Sequence, residues 1–124
     1  MSAEDWSPSD LPAVSYIRVA PTTTDEAARQ VQRQRAQIAL AARRLGLRMA
    51  DEFVDVGYSG MSMDRPDLRR LLDHVASHQV GYCVVATRDR LSEDPEDAAD
   101  IDEALDDALV ALVIAADHTG PAAT

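Results

Sequence analysis

The chain has 124 residues, 46% of them hydrophobic, with five Gly, six Pro and a formal net charge of −10. This length suits one compact domain, and the composition excludes a collagen-like or wholly disordered chain. No stretch approaches the ~20 consecutive apolar residues of a membrane span. The charged residues are 12 Arg, no Lys and 22 acids, whereas a protein that binds DNA on its own normally carries a basic surplus, so we expect weak or absent independent DNA binding.

Residues 1–12 are predicted to form a flexible tail. Their acidic sequence lacks the basic start and apolar run of a signal peptide, so we expect a cytoplasmic protein. From residue 13 onward, short β-rich runs alternate with longer helical patterns, which is typical of a parallel α/β sheet. The domain is predicted to span 13–116, followed by a second flexible tail at 117–124. The predicted strands are Ala13–Val19, Met49–Val56, Val80–Ala86 and Leu109–Ala115.

The first helix is predicted to run from about Asp25 to Leu45. Thr23 and Glu26 have the spacing of a capping box, and Gly46 suits the position just after the last turn. Gln34 falls on the face that is otherwise apolar. The apolar residues expected on that face are Val31, Ile38, Ala41 and Leu45.

The second helix is predicted to follow Asp64 and Pro66, and the third to begin at Asp94 and Pro95, an N-cap followed by proline in the first turn. The outer face of the third helix is almost entirely acidic, so this helix depends on packing for its stability. Its expected buried residues are Ala98, Ile101, Leu105 and Ala108, and those of the second helix are Leu68, Leu71, Leu72 and Val75.

Charged and reactive side chains outside these patterns carry little functional signal. Residues 91–124 hold ten acids and no base, so the whole net charge comes from this part of the chain. Cys83 lies in an apolar run and is predicted to be a buried residue of the core.

His74 and His78 are one helical turn apart, but two ligands without a third do not make a metal site, so we predict no metal and no cofactor. Six arginines are close together in sequence, and we expect them to form a solvated helix face rather than a local basic patch: Arg29, Arg33, Arg35, Arg43, Arg44 and Arg48.

Charged residues also follow the ends of the predicted strands. Right-handed crossovers bring the loops after parallel strands to one edge of the sheet, where ligands bind. Three guanidiniums, those of Arg18, Arg65 and Arg90, are expected to converge there, and planar permanent charges suit a phosphate or another oxyanion. The alternative is a salt-bridge cluster without a ligand, in which Asp89 and Glu93 neutralise Arg18 and Arg90.

Four motifs in order, YIRVA, QRAQIALAARRLG, FVDVGYSGMSMDRPDLRRLL and RDRLSED, resemble the catalytic domain of serine site-specific recombinases, the resolvase/invertase family. The resemblance covers about residues 13–115. It implies a parallel sheet of strand order 2-1-3-4 with helices on both faces. It also implies DNA strand exchange, in which both strands of two sites are cut, each end is held as a phosphoserine, and the ends are rejoined.

The resemblance also assigns positions in this chain. Arg18, Arg65 and Arg90 match the arginines that contact phosphate in the family, Asp89 matches its active-site Asp, and Gln34 matches a Gln of the first helix. The nucleophilic Ser of the family corresponds to Ala20, whose methyl group cannot form a phosphoester.

A second departure is Glu93, which stands where the family has another phosphate-contacting Arg. Losing one electrostatic stabiliser typically costs ~3 kcal/mol of the barrier. Thr87 stands where a basic residue is common. No long helix for dimer contact, helix-turn-helix or zinc ribbon is recognisable after the last predicted strand.

The leading hypothesis is therefore a catalytically inactive relative that acts as a binding or regulatory module. It would dock on a protein partner or a second copy, with the acidic third helix as a candidate surface, or keep an anion pocket at its arginines. The alternative is an active strand-exchange domain that uses another nucleophile, such as Thr22 or Thr24, or a partner chain. A receiver-like phosphoacceptor domain is disfavoured because the chain has no Lys and no acid cluster after the first strand.

Overall fold

A computed structural model of the protein describes residues 10–120. The tail predicted at 1–12 lies mostly outside these residues, as do positions 121–124 of the second predicted tail. Four parallel strands form one sheet in the order β2-β1-β3-β4, which confirms the predicted fold and strand order. The strands are β1 (Pro12–Val19), β2 (Arg48–Val56), β3 (Tyr82–Val85) and β4 (Ala111–Ile114).

Three helices connect the strands: α1 (Thr24–Leu45), α2 (Pro66–Ser77) and α3 (Pro95–Asp107). The predicted N-terminal caps are present at α1 and α3, but only the Thr23 half of the capping box forms, because the Glu26 carboxylate accepts from Arg29, Gln30 and Arg33. The Thr23 hydroxyl accepts from the backbone N–H of Glu26, Gly46 ends α1 in the left-handed conformation at φ 68°, and the Asp94 carboxylate accepts from the N–H of Asp97. At the start of α2, the N-cap residue Arg65 makes no capping hydrogen bond with its side chain.

The sheet has an apolar layer on each face. On one face, α2 and α3 pack on side chains of β1, β2 and β3 that include Tyr16, Phe53 and Val85. On the other face, α1 packs through Ile38 and Ala41 against Ile17 of β1. Residues of β1 therefore alternate between the two layers, which sends the even-numbered side chains of this strand, Arg18 among them, towards the layer of α2 and α3.

Several predicted limits and buried positions were wrong. Strand β3 is shorter than predicted at both ends. Strand β4 begins two residues later than predicted, because Leu109 adopts φ 60° and α3 ends with hydrogen bonds from Leu109 N to Asp106 O and from Val110 N to Leu105 O. Leu45 is exposed on the last turn of α1, where the helix has passed the edge of the core. Ala98, in the first turn of α3, is only half-buried. The other half-buried residues of the predicted apolar faces still pack against the core: Val31, Leu72 and Ala108.

The chain beyond β4 continues as a short 3-10 turn, Ala115–His118. Arg44 of α1 donates to the carbonyls of His118 at 2.8 Å and Gly120 at 2.6 Å, so this segment contacts α1. Within residues 10–120, no helix has the length and apolar character needed to cross a membrane.

Candidate functional site

The loops that follow β1, β2 and β3 meet at the carboxyl edge of the sheet, as the parallel topology predicts. Residues 57–65 follow β2 and residues 86–94 follow β3. Gly57 and Tyr58 donate backbone hydrogen bonds to the carbonyl of Val19 at 2.7 and 3.1 Å, which fixes the first loop to the end of β1. Ala20, the next residue, is exposed.

Arg18 lies at the end of β1 and is 1% exposed. Its Nε donates to the carbonyl of Arg90 at 3.2 Å, and its Nη1 donates to that of Tyr58 at 3.1 Å. Its Nη2 donates to the carbonyl of Asp89 and to Oε1 of Glu93, both at 2.9 Å. Every nitrogen of this guanidinium therefore already has an acceptor inside the protein.

Arg65, just before α2, is equally buried. Its Nε donates to the carbonyl of Ser62 at 2.8 Å, and its Nη1 donates to the Tyr16 hydroxyl and to the carbonyl of Arg90, both at 3.2 Å. Its Nη2 donates to the carbonyl of Leu91 in a short contact. The Arg18 and Arg65 guanidiniums thus converge, but they converge on the backbone of residues 89–91 rather than on an open crevice.

The other charged residues of this loop differ in their surroundings. The Arg90 side chain is half-buried, and among residues 10–120 its Nε has no hydrogen-bond partner. The Asp89 carboxylate accepts from the Thr87 hydroxyl in a short contact. Of the two acids expected to neutralise Arg18 and Arg90, Glu93 therefore does so for Arg18, while the carboxylate of Asp89 is engaged by its own turn.

Glu93 closes the site on its solvent side. Its side chain is 44% exposed and forms a 2.9 Å ion pair with Arg18. Its backbone N–H donates to the carbonyl of Gly60 at 2.9 Å, and the buried Ser92 hydroxyl donates to the same carbonyl at 3.2 Å. The loop after β2 is thereby tied to the loop after β3.

Gln34 supports the site from the opposite face. It is buried in α1, and its Nε2 donates to the carbonyl of Arg18 at 2.8 Å. Within the described residues its Oε1 has no partner. The polar residue that interrupts the apolar face of α1 therefore holds the end of β1 in place.

Asp55 and Tyr16 belong to this site and were missed by the sequence reasoning. The buried Asp55 carboxylate accepts from the Tyr16 hydroxyl at 2.7 Å and from the N–H groups of Asp67 and Leu68 at 2.9 Å each, so a residue of β2 caps α2. Burial, and then the hydrogen bond to Asp55, raise the pKa of Tyr16 above its ordinary value, so this hydroxyl stays a donor. The available signal was an acid two residues after buried Phe53, on the inward face of a strand.

Most arginines of α1 are occupied by local partners. Glu26 accepts from Gln30, Arg29 and Arg33, and these hydrogen bonds lower the pKa of Glu26 to about 2. Arg35 binds Glu52 of β2 through two contacts of 2.8 and 2.7 Å. This pairing favours the solvated-face interpretation of the arginine cluster.

The histidine pair of α2 contacts its neighbours rather than a third ligand. The rings of His74 and His78 stack with centroids 4.2 Å apart, and Nε2 of His74 lies 3.7 Å from a carboxylate oxygen of Asp51. Over residues 10–120, no group of three His, Cys, Asp or Glu side chains is arranged to hold a metal ion.

Comparisons with known proteins agree with this geometry. A family model described as the N-terminal domain of resolvase matches residues 13–124. The fold is similar to the N-terminal catalytic domain of TP901-1 integrase, with 21% identity, a TM-score of 0.78, and coverage of 86% of this chain and 79% of that one. Comparison with curated protein sequences found no match.

Two further solved structures are similar. The C-terminal catalytic domain of IS1535 TnpA, an IS607-like serine recombinase, has 29% identity and a TM-score of 0.64, with 82% of this chain and 69% of that one covered. A resolvase family site-specific recombinase from Streptococcus pneumoniae has 19% identity and a TM-score of 0.73, with 88% and 74% covered.

Proposed function

Since the chain belongs to the resolvase family of serine recombinase catalytic domains, we propose that it is a catalytically silent member that acts as a binding or regulatory module. The observation that carries this proposal is Ala20. The family's reaction needs a hydroxyl that attacks the phosphodiester, and an alanine methyl offers no lone pair and no proton to transfer.

The electrostatics of the site support the same conclusion. Stabilising the negative charge of a pentavalent phosphate requires hydrogen-bond donors that are free to bind its oxygens. All nitrogens of Arg18 and Arg65 already donate to protein oxygens, and Glu93 adds a negative charge at the solvent side of Arg18. A DNA phosphate approaching this edge would meet a carboxylate first.

The surface charge favours a protein partner over DNA. Helix α3 exposes acids along its outer face and contains no base, so it would repel a phosphate backbone and attract a basic protein surface. We expect binding to another protein or to a second copy of this chain, with little or no DNA binding by the chain alone.

The rival function is an active strand-exchange domain with a substitute nucleophile. Thr23 is occupied as the α1 cap, while Thr22 and Thr24 are exposed. Either hydroxyl would have to move to the attack position that Ala20 fills in the family pattern, and near-attack geometry tolerates little displacement.

A covalent-adduct assay separates the two functions. The wild-type protein is incubated with a supercoiled plasmid library, and SDS-resistant, protease-sensitive protein-DNA adducts are measured, with an active resolvase as assay control. We expect no adduct from wild type and no DNA retention in a low-salt gel shift. An adduct from wild type that disappears in Thr22→Val or Thr24→Val would establish the rival function.

A further inference from the structure

We propose that the Glu93 carboxylate is a built-in anion that closes the Arg18 guanidinium to oxyanions from solution. Arg18, Gly60 and Glu93 are called the latch. The inference rests on the proposed function, since it names the contact that keeps this family's arginine site shut in a silent member.

The latch has one replaceable component. Arg18 donates to three backbone carbonyls, those of Tyr58, Asp89 and Arg90, and to one carboxylate, that of Glu93. The carbonyls belong to the buried loops, whereas the Glu93 side chain is 44% exposed. An oxyanion can take the place of the carboxylate without breaking any of the other three bonds.

Gly60 makes the latch possible by close approach. A Cβ at this position would lie 2.7 Å from both Nη2 of Arg18 and Cγ of Glu93, which is closer than a Cβ approaches non-bonded nitrogen or carbon atoms in proteins. Any larger residue would therefore push the Glu93 side chain away from Arg18. Because the Gly60 carbonyl also accepts from the N–H of Glu93 at 2.9 Å, the same glycine closes the loop and admits the ion pair.

The charge explains why an anion must fill this position. Arg18 is 1% exposed, and a buried guanidinium without a counter-charge is strongly destabilising. A planar guanidinium binds a carboxylate and a tetrahedral oxyanion with the same N–H groups. Removal of the Glu93 carboxylate therefore creates a site for an inorganic oxyanion such as sulfate.

Sulfate titration of thermal stability tests the latch. Glu93→Ala and Glu93→Gln are compared with wild type and with Glu103→Ala, which removes an exposed acid of α3 and so changes the net charge equally. Sodium chloride at equal ionic strength controls for screening. We expect the Glu93 variants to gain roughly 5 °C in Tm at about ten times their sulfate dissociation constant, and wild type and Glu103→Ala to show no sulfate-specific gain.

Gly60→Ala tests the same contact without changing any charge. Amide hydrogen exchange at residues 58–62 and 92–94 should be faster in Gly60→Ala and Glu93→Ala than in wild type, and sulfate should slow it again in Glu93→Ala. If Glu93→Ala does not fold, the isosteric Glu93→Gln carries both measurements.

The proposal is overturned if the Glu93 variants respond to sulfate as wild type does, or if exchange in the two loops is unchanged. These failures are distinct from failure of the proposed function. A covalent adduct formed by wild type refutes catalytic silence, whereas the absence of a sulfate response refutes the latch alone.

Discussion

Replacing Arg65 by Met should destabilise the fold strongly, because the buried Arg65 guanidinium joins two loops and β1 through hydrogen bonds. Methionine keeps an apolar stem of similar length but removes the donors to the carbonyls of Ser62 and Leu91 and to the Tyr16 hydroxyl. The Arg90 carbonyl keeps its bond from Arg18 at 3.2 Å.

The magnitude follows from these lost contacts. A buried acceptor that loses its donor costs about 1–3 kcal/mol, and relief of the desolvation of a buried charge returns part of that sum. We therefore expect Arg65→Met to lower the free energy of unfolding by about 3–4 kcal/mol, a large fraction of the ~5–15 kcal/mol typical of a domain.

Urea denaturation measures this difference at constant m-value. Arg69→Met is the matched control, since Arg69 is exposed on the same helix and the change in charge is identical. Arg90→Met should be neutral or stabilising, because it removes a buried Nε that has no partner among the described residues. This structural role of Arg65 is refuted if the free energy of unfolding of Arg65→Met lies within about 1 kcal/mol of that of Arg69→Met.

Three further predictions concern other parts of the fold. Leu109 is 87% exposed at φ 60°, so Leu109→Gly should raise stability by about 1 kcal/mol in thermal unfolding, whereas Leu109→Ala, which keeps a Cβ, should not. Burial raises the pKa of the Cys83 thiol to about 12, so a thiol reagent at pH 8 should label it only as fast as the protein unfolds; rapid labelling of the native protein would contradict this. The pKa of Glu26 falls from 4.5 to about 2 on folding, so its stabilising contribution is complete above pH 4.5 and is lost as pH falls towards 2, and Glu26→Gln should flatten the stability profile in that window.

Local features of the fold were predictable because their determinants lie close together in sequence. The Thr23 and Asp94 caps bind N–H groups three residues away, and Gly46 takes the left-handed conformation that its residue type favours. Alternating patterns then gave the order of strands and helices, and the resemblance to the recombinase family gave the order of strands in the sheet.

The site was harder to predict because its contacts join distant residues and backbone atoms. Asp55 caps α2 from a neighbouring strand, and no local spacing relates a strand residue to the first turn of a later helix. Six of the eight hydrogen bonds donated by the Arg18 and Arg65 guanidiniums go to backbone carbonyls, four of them to residues 89–91. Every residue type carries a carbonyl, so sequence could place the guanidiniums at this edge without revealing what they bind.

The internal acceptors of Arg18 and Arg65 change what these two arginines indicate about activity. Arg18 and Arg65 are each 1% exposed, and every nitrogen of both guanidiniums donates to an internal acceptor, so the need to fold is sufficient reason for the chain to have them. Their presence is therefore compatible with a silent site, and it is no argument for phosphate binding. The proposed silence rests instead on Ala20, which is exposed and which no packing contact fixes, and on Glu93, whose carboxylate supplies the counter-charge of Arg18. By the resemblance to the family, both positions depart from its pattern in the direction that disfavours cleavage.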